Sequence, residues 1–340
     1  MHYRELDKYP PILNLVNFAL KQRFSISVIS GLFFKENKLI IFLDYLIFTL
    51  RTFLSLLFSK NQNVLYYESI SAIPIYFYFR LLPYTKKKLF IHYHEYFSKE
   101  EYLKQSFFER LGRKLEIVLF KRARWISHTN KQRLELFHLE FPFIEKNVLK
   151  NFPNYPPFEW QNAPKKTETY KTNTIKMVHV GALSIENMFL EKLLNFCGNN
   201  SNFSIDFYSH NFNSEVIELL SNYTNCQIKG SISYERIPTL KGKYDVGLVL
   251  YNGSTLNFTY NAPNKVFEYL ALDFDVWCSD KLISAKDFQR LDCYPKLLMV
   301  DYTRLDKLDI CKARSIEGLS YSASPYNCEG VYTPFFEDLI

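Results

Sequence analysis

The feature that most constrains this chain is an alternation. Short β-branched or apolar runs are followed by longer stretches of helical spacing, over and over, with one interruption. Runs at 24–30 (FSISVIS), 63–67 (NVLYY), 88–93 (KLFIHY) and 124–128 have strand character, and 13–22, 39–58, 70–82, 107–122 and 130–139 lie between them as helices. The stretch 151–174 (NFPNYPPFEWQNAPKKTETYKTNT) then breaks the pattern with four prolines and no periodicity, as a linker does. Beyond it the alternation resumes, with strands at 175–180, 203–208, 226–229, 246–250 and 275–279 and helices at 187–196, 214–222 and 265–272. Such alternation dictates parallel βαβ units. The expectation is α/β, two doubly wound Rossmann-like domains at 1–150 and 175–315 facing a cleft that would take the ligand. The segment 316–340 is expected to be helical and to pack back toward the first domain.

Composition narrows the chemistry. There are ten glycines in 340 residues, and no GxGxxG, GxxxxGK or GxSxG motif occurs, which argues against dehydrogenase, NTPase and serine-hydrolase readings. A phosphate would have to be held by helix N-termini and isolated cations. The six cysteines (Cys197, Cys226, Cys278, Cys293, Cys311, Cys328) include no CxxC pair, so a zinc site is not expected. They read as free thiols of a reducing compartment, and the opening MHYRELDKYPP has no signal-peptide character. A cytoplasmic location follows as an expectation. The net charge of +7 is uneven: residues 1–150 hold 24 Lys and Arg against 13 Asp and Glu, and the remainder 18 against 22.

Two surfaces of the basic half stand out. The run 39–58 (LIIFLDYLIFTLRTFLSLLF) is long enough to span a bilayer, but Asp44 and Arg51 sit inside it, each costing roughly 2.5–3.5 kcal/mol at a membrane centre. Seven residues apart, they share a helix face with Ser55 and, approximately, Thr52. This predicts a helix buried against a sheet, with the polar stripe at its edge in water. The second surface is Lys86, Lys87 and Lys88 together with Arg110, Arg113, Lys114, Lys121, Arg122 and Arg124, interleaved with Phe107, Phe108, Phe120 and Trp125. An anionic membrane surface is the expected partner. Nucleic acid is not, for want of a reading helix or an aromatic RNA platform.

The most informative segment is 229–275. Gly230 and Ser231 follow a strand, a buried strand (YDVGLVLY) and a polar loop come next, and APNKVFEYLA opens a helix with Pro263 in its first turn and Asn261 or a neighbour as cap. Lys265 in that first turn opposes the helix dipole unless an anion shares the site. Glu268 could accept hydrogen bonds from two vicinal hydroxyls, or the two residues could form a surface ion pair on a solvated helix. In the first half, His94-Glu95 follows a buried strand and so lies at the carboxyl edge of its sheet, where a neutral imidazole could meet a sugar hydroxyl or a phosphate oxygen. His92 and His94 as a metal pair lack an evident third ligand.

The run DVGLVLY…APNKVFEYLA resembles the C-terminal domain of the GT-B glycosyltransferases, in particular glycosyltransferase family 4. DKYPPILNLVNFALKQRFSISVISG, FIHYHEYF, RARWISHTNKQRLELF and VLKNFPN are similar to further segments of that family, in the same order along nearly the whole chain. The resemblance implies an acceptor-side first domain and a nucleotide-sugar-binding second one. It assigns Glu268 to the donor ribose, Lys265 to the diphosphate and Gly230 and Ser231 to the base, and puts His94 near the donor sugar. Glu95 beside His94 joins it as a catalytic candidate, and Asn264, Gly181 and Tyr260 join the substrate-binding candidates. It further implies a hexosyl transfer with retained anomeric configuration, no metal or other cofactor, and a nucleoside diphosphate sugar and a lipid-linked or oligosaccharide acceptor as partners, in surface polysaccharide synthesis.

Departures from the family pattern accompany the matches. Tyr260 stands where a first Glu is frequent, Ala182 where an Arg is frequent, and Asp273 and Asp275 replace a Gly and a Pro, which would put two carboxylates near the donor. Two other readings follow from them. One is a nucleotide-sugar 2-epimerase using Asp273 or Asp275 as acid and base; the other is a non-catalytic nucleotide-sugar-binding or membrane-docking subunit.

Overall fold

The computed structural model describes residues 1–3, 9–32, 38–163, 174–198, 200–310 and 319–339. Cys311, much of the 151–174 stretch and the beginning of 316–340 lie outside the described residues. The chain divides into two compact units, Met1–Asn154 with Val331–Ile340, and Tyr155–Gly330.

In the first unit, β1 (Asn63–Tyr67), β2 (Lys88–Tyr93), β3 (Ala123–His128) and β4 (Leu149–Asn151) form a parallel sheet in the order β1-β2-β3-β4. The helices are α1 (Pro10–Lys21), α2 (Lys38–Phe58), α3 (Ala72–Leu81), α4 (Lys99–Leu103), α5 (Phe107–Phe120) and α6 (Lys131–Glu140). Val64, Tyr66, Leu89, Ile91 and Ile126 on one face of the sheet pack with Ile75, Phe79, Phe120 and Phe137 from α3, α5 and α6. On the other face Phe90, Trp125 and Phe152 meet Phe335 of the terminal helix (Cys328–Glu337), and the Tyr332 hydroxyl donates to Pro11 O at 3.0 Å.

Residues 24–30 do not form the expected strand. The edge of β1 is already occupied: the Met1 amino group donates to Leu65 O, Tyr67 N donates to Met1 O, and His2 N donates outward to Ile29 O at 3.0 Å. Residues 1–3 thus separate the FSISVIS run from the sheet.

Helix α2 also departs from expectation. Asp44 and Thr52 are buried, with Leu32 N donating to Asp44 Oδ1 at 2.8 Å, and the Tyr45 hydroxyl donates to Ile70 O. Apart from Arg51, the exposed side chains among the described residues are apolar: leucines, phenylalanines and Ile47. The polar stripe therefore lies largely inward, and only Arg51 is exposed, donating to Ser30 O. A nearby backbone N–H donates to one oxygen of the buried carboxylate, which lowers the cost of that orientation.

In the second unit, β5 (Ile175–Val180), β6 (Phe203–Tyr208), β7 (Cys226–Gly230), β8 (Val246–Val249), β9 (Asp275–Ser279) and β10 (Leu297–Val300) form a parallel sheet in the order β10-β9-β8-β5-β6-β7. Helices α7 (Leu190–Gly198), α8 (Ser214–Ser221), α9 (Leu256–Thr259) and α10 (Asn264–Ala271) accompany it. Successive strand residues serve opposite cores: Met177, Val246, Leu248 and Trp277 face one, Val178, Val180, Val249 and Val276 the other. Both faces are covered, so the strands read as continuous apolar runs. The strand order reverses between β5 and β8, which makes their carboxyl ends the ligand-binding crevice of a sheet of this kind.

Candidate functional site

The carboxyl end of β5 runs into Gly181, whose φ of +144° disfavours any L side chain. Gly181 N donates to Tyr208 O and Ser209 N donates to Gly230 O, both at 2.9 Å, so the β5, β6 and β7 ends are stitched together. A Cβ on Gly181 would lie 4.0 Å from Lys265 Cε and 3.9 Å from His179 Nε2. The missing side chain leaves space between these two groups.

Helix α10 brings Lys265 there because it is pinned to the sheet. Gly247 in β8 makes room for the Tyr269 ring, which a Cβ would meet at 2.3 Å, and the Tyr269 hydroxyl accepts from Val180 N at 2.9 Å. Pro263 is the N-cap and no side chain caps the helix, so the expected Asn261 cap is not formed. A helix N-terminus of this kind offers N–H groups and positive potential to an anion. Asn264 is its first residue and is half-buried. Lys265 Nζ lies 2.5 Å from Glu268 Oε2. The pair forms, but not on a solvated face: Glu268 is 1% exposed, while the Lys265 side chain keeps 24% exposure.

His179 is a component the sequence reading missed. It is buried, with Nδ1 3.3 Å from Leu248 O and Nε2 3.3 Å from Ala182 O. Burial, with a smaller push from Lys265, lowers its pKa to about 4 against the two carbonyls, so the ring is neutral at physiological pH. A neutral ring does not compete with Lys265 for an anion. Ala182, where the resemblance expects an Arg, contributes its carbonyl to this ring. No local pattern marks His179, because its burial and its contact with the Leu248 carbonyl come from the packed sheet.

Tyr260 follows α9 and is half-buried in the loop that leads to α10. Gly230 ends β7 with φ +74°, and Ser231 beyond it is exposed; both lie at the same carboxyl edge, on the outer strand. Asp273 and Asp275, expected near the donor, are elsewhere. They sit at the start of β9, the amino edge of the sheet, where Lys296 N donates to Asp275 Oδ1 at 2.7 Å. Asp273 lies 3.4 Å from Lys241 Nζ and accepts from the Tyr321 hydroxyl. The strand between the two edges separates them from Gly181, and their partners give them a structural task.

In the first unit, His94 lies just past β2. Its N–H donates to Glu68 Oε1 at 2.6 Å, its carbonyl accepts from Arg133 Nη1 at 2.6 Å, and Asn154 Nδ2 lies 3.2 Å from its Nδ1. Its ring stacks on Tyr67 at 5.1 Å. An amide donating to Nδ1 leaves the imidazole proton on Nε2, which is buried without a hydrogen-bond partner among the described residues. Burial, then Arg133, lowers its pKa to about 3, so the ring is neutral. Glu95 is exposed, and its N–H also donates to Glu68 Oε1, at 3.3 Å. Glu68 holds φ +61°, a conformation costing of order 1–3 kcal/mol, at the point where it anchors this turn. Glu68, Arg133 and Asn154 come from three separate segments, and no local pattern joins them to His94.

Among the described residues, no group of three or more His, Cys, Asp or Glu side chains could share a metal ion. The described cysteines Cys197, Cys226, Cys278, Cys293 and Cys328 are free thiols. The basic surface is smaller than expected. Arg113 is buried, 3.0 Å from Glu116 and 3.1 Å from Glu140, and its guanidinium stands over the Tyr102 and Phe141 rings. Lys87 donates to Ser59 O and Asn61 O. Lys86, Lys88, Arg110, Lys114, Lys121 and Arg124 are exposed.

No protein-family model and no curated protein matches the sequence. Solved structures do match. HepE of Anabaena, solved with UDP and glucose, is 10% identical, with a TM-score of 0.63 over 95% of this chain and 88% of its own. The chain has the GT-B fold. An α,α-trehalose-phosphate synthase (UDP-forming) from Burkholderia xenovorans, in complex with glucose-6-phosphate, is 13% identical, with a TM-score of 0.58 over 89% and 80% of the two chains. The UDP-GlcNAc 2-epimerase of Neisseria meningitidis, bound to UDP-GlcNAc, is 14% identical, with a TM-score of 0.53 over 96% and 88%. The GT-B fold is therefore shared here with a UDP-forming synthase and with an epimerase, and the fold alone does not choose between such activities.

Proposed function

We propose that this GT-B protein is a glycosyltransferase that binds a nucleoside diphosphate sugar on its second unit. The observation that carries this is the convergence of Lys265, the uncapped start of α10 and the open space at Gly181, at the reversal of strand order. The UDP and UDP-GlcNAc ligands of the similar structures support the same reading. In it, Glu268 receives the ribose hydroxyls, Lys265 and the α10 amides hold the diphosphate, and Gly230 and Ser231 border the base; Asn264 and Tyr260 flank the site.

The acceptor oxygen bonds to the anomeric carbon as the bond from that carbon to the phosphate oxygen breaks. The electron pair leaves with the nucleoside diphosphate, and the acceptor proton goes to the released phosphate or to water. Lys265 and the helix amides stabilise the charge that develops on the leaving group, and the reading calls for no metal. The Nε2–H of His94, buried and unpartnered among the described residues, is a donor for an oxygen of the sugar or phosphate. We extend the proposal to a hexosyl transfer with retention, to a lipid-linked oligosaccharide acceptor of surface polysaccharide synthesis, and to work in the cytoplasm at an anionic membrane surface. These finer points rest on the family resemblance. The epimerase reading loses its acid and base, because Asp273 and Asp275 lie at the opposite edge of the sheet.

Calorimetry with UDP and a panel of nucleotide sugars, together with a lipid-extract transfer assay, tests the reading. Binding by the wild type and at least tenfold weaker binding by Glu268→Ala are expected, with sugar transfer to the extract. Unchanged affinity in the variant sinks the ribose assignment; epimerised donor without transfer replaces the enzyme class, and binding without turnover leaves a non-catalytic subunit.

A further inference from the structure

Helix α2 is inverted with respect to water. Asp44 and Thr52 are 1% and 0% exposed, whereas Leu39, Leu50 and Phe58 are 66%, 59% and 81% exposed. With Leu43, Leu46 and Leu54 these residues recur every three or four positions and form one stripe. At 1.5 Å per residue it runs for about 30 Å. A continuous apolar face of this size on a soluble unit marks an interaction surface.

The border of the stripe says what it meets. The only acidic residue of α2 is the buried Asp44. At the Phe58 end, Lys87 Nζ donates to Ser59 O at 2.9 Å and Lys88 N donates to Gln62 O at 2.7 Å, which ties the triple-lysine turn to the helix end. Lys86 and Lys88 remain exposed there. Nearer the other end, Phe108 stacks on Tyr45 at 4.0 Å and on Phe42 at 5.8 Å. That contact brings the start of α5 alongside, with Phe107 and Arg110 exposed. Apolar side chains rimmed by cations match the interface of an anionic bilayer, where the stripe enters the acyl boundary and the cations meet headgroups.

We propose that α2 lies flat in the surface of an anionic membrane and docks the first unit there through its leucine stripe, with Lys86, Lys88 and Arg110 as headgroup contacts. The polar face, with Asp44 bonded to the Leu32 amide and Thr52 buried inside the unit, keeps the helix from crossing the bilayer. This deepens the lipid-linked acceptor reading by naming the surface that meets the lipid, and it rests on that reading for the link to catalysis.

The test is vesicle co-sedimentation of the full chain, using phosphatidylcholine with and without phosphatidylglycerol. The wild type is expected to partition onto the anionic vesicles. Leu46→Glu/Leu50→Glu, which changes exposed side chains only, should lower partition at least tenfold with an unchanged thermal melt. Lys86→Glu/Lys88→Glu should weaken anionic binding alone, with a loss of its salt dependence. Absence of the wild type from vesicles overturns the proposal, as does undiminished partition of the leucine variant. A dimer in sedimentation equilibrium that Leu46→Glu/Leu50→Glu dissolves, with no vesicle binding, assigns the stripe to a second copy and also overturns it. A Leu50→Trp chain gives an independent readout: its fluorescence should shift to the blue on vesicles and be quenched by brominated lipid, and an unshifted spectrum counts against insertion. None of these measurements needs donor or turnover. Failed partition therefore strikes this inference and the membrane-surface extension but leaves donor binding and transfer standing, and failed donor binding strikes the enzyme reading alone.

Discussion

The two units contain the same local device, a cation three residues ahead of a buried glutamate on one helix, and use it differently. In α5, Arg113 meets Glu116 at 3.0 Å, and Glu140 and the Ser69 hydroxyl close the network. Arg113 and Glu116 are both sealed in the core. In α10, Lys265 meets Glu268 at 2.5 Å, but it stands in the first turn beside an uncapped helix end and keeps part of its side chain in solvent. The pair in α5 binds its unit together; the pair in α10 is placed where a ligand anion can join it. An i, i+3 charge pair acquires its role from burial and from position along the helix.

The largest effect should come from breaking the sealed pair. Arg113→Ala leaves Glu116 and Glu140 buried without their cation, and is expected to cost about 3–5 kcal/mol of first-unit stability in denaturant titration. A cost below about 1 kcal/mol would show that the α5 network is not a stability element. Next comes Gly247→Ala, whose Cβ overlaps the Tyr269 ring. Overpacking of about 1–3 kcal/mol is expected, together with weaker donor binding as α10 is displaced. Retained affinity would detach the position of α10 from the site.

Acidification should separate the units. His92, His94 and His128 of the first unit have pKa values lowered mainly by burial, to about 3 for His94 and well below 6.5 for the other two. Among the described residues, His179, lowered to about 4, is the corresponding case in the second unit. Below pH 6.5 the unfolded chain binds protons that these rings refuse, so their contribution is complete above that pH and is lost as pH falls toward the folded values. Each ring contributes a slope of up to about 1.4 kcal/mol per pH unit, so the first unit should weaken faster. Hydrogen exchange followed from pH 7 to pH 4 reads this unit by unit; equal slopes in the two units would break the comparison. The smallest stability effect is expected from Lys265→Ala. Only one buried carboxylate, Glu268, loses its cation, and Lys265 itself is partly exposed, so the cost should fall below that of Arg113→Ala, while donor affinity should fall at least tenfold by calorimetry. A large loss of stability with intact affinity would make α10 a second copy of the α5 case.

Much of the fold was legible because buried parallel strands are short apolar runs and their helices have a 3.6-residue period. β2, β5, β6 and β9 coincide with such runs. β4 and β10 were not anticipated, since three and four residues carry too little pattern. At the site, Lys265, Glu268 and Gly181 could be found because helix start, charge and glycine lie in readable local order. His179, Tyr269 and Gly247 could not, because their contacts to Leu248, Val180 and one another's helix and strand join segments that are far apart in the chain.

The sequence by itself determined that this chain makes two parallel α/β units, since the period of its apolar residues depends only on neighbours. It also determined that α2 has a polar and an apolar face. Only the tertiary structure decided which of those faces meets water, because the Leu32 amide must be in place before Asp44 can be buried. It also decided what Asp273 and Asp275 do at the start of β9, because their partners Lys241, Tyr321 and the Lys296 amide come from segments far from them in the chain.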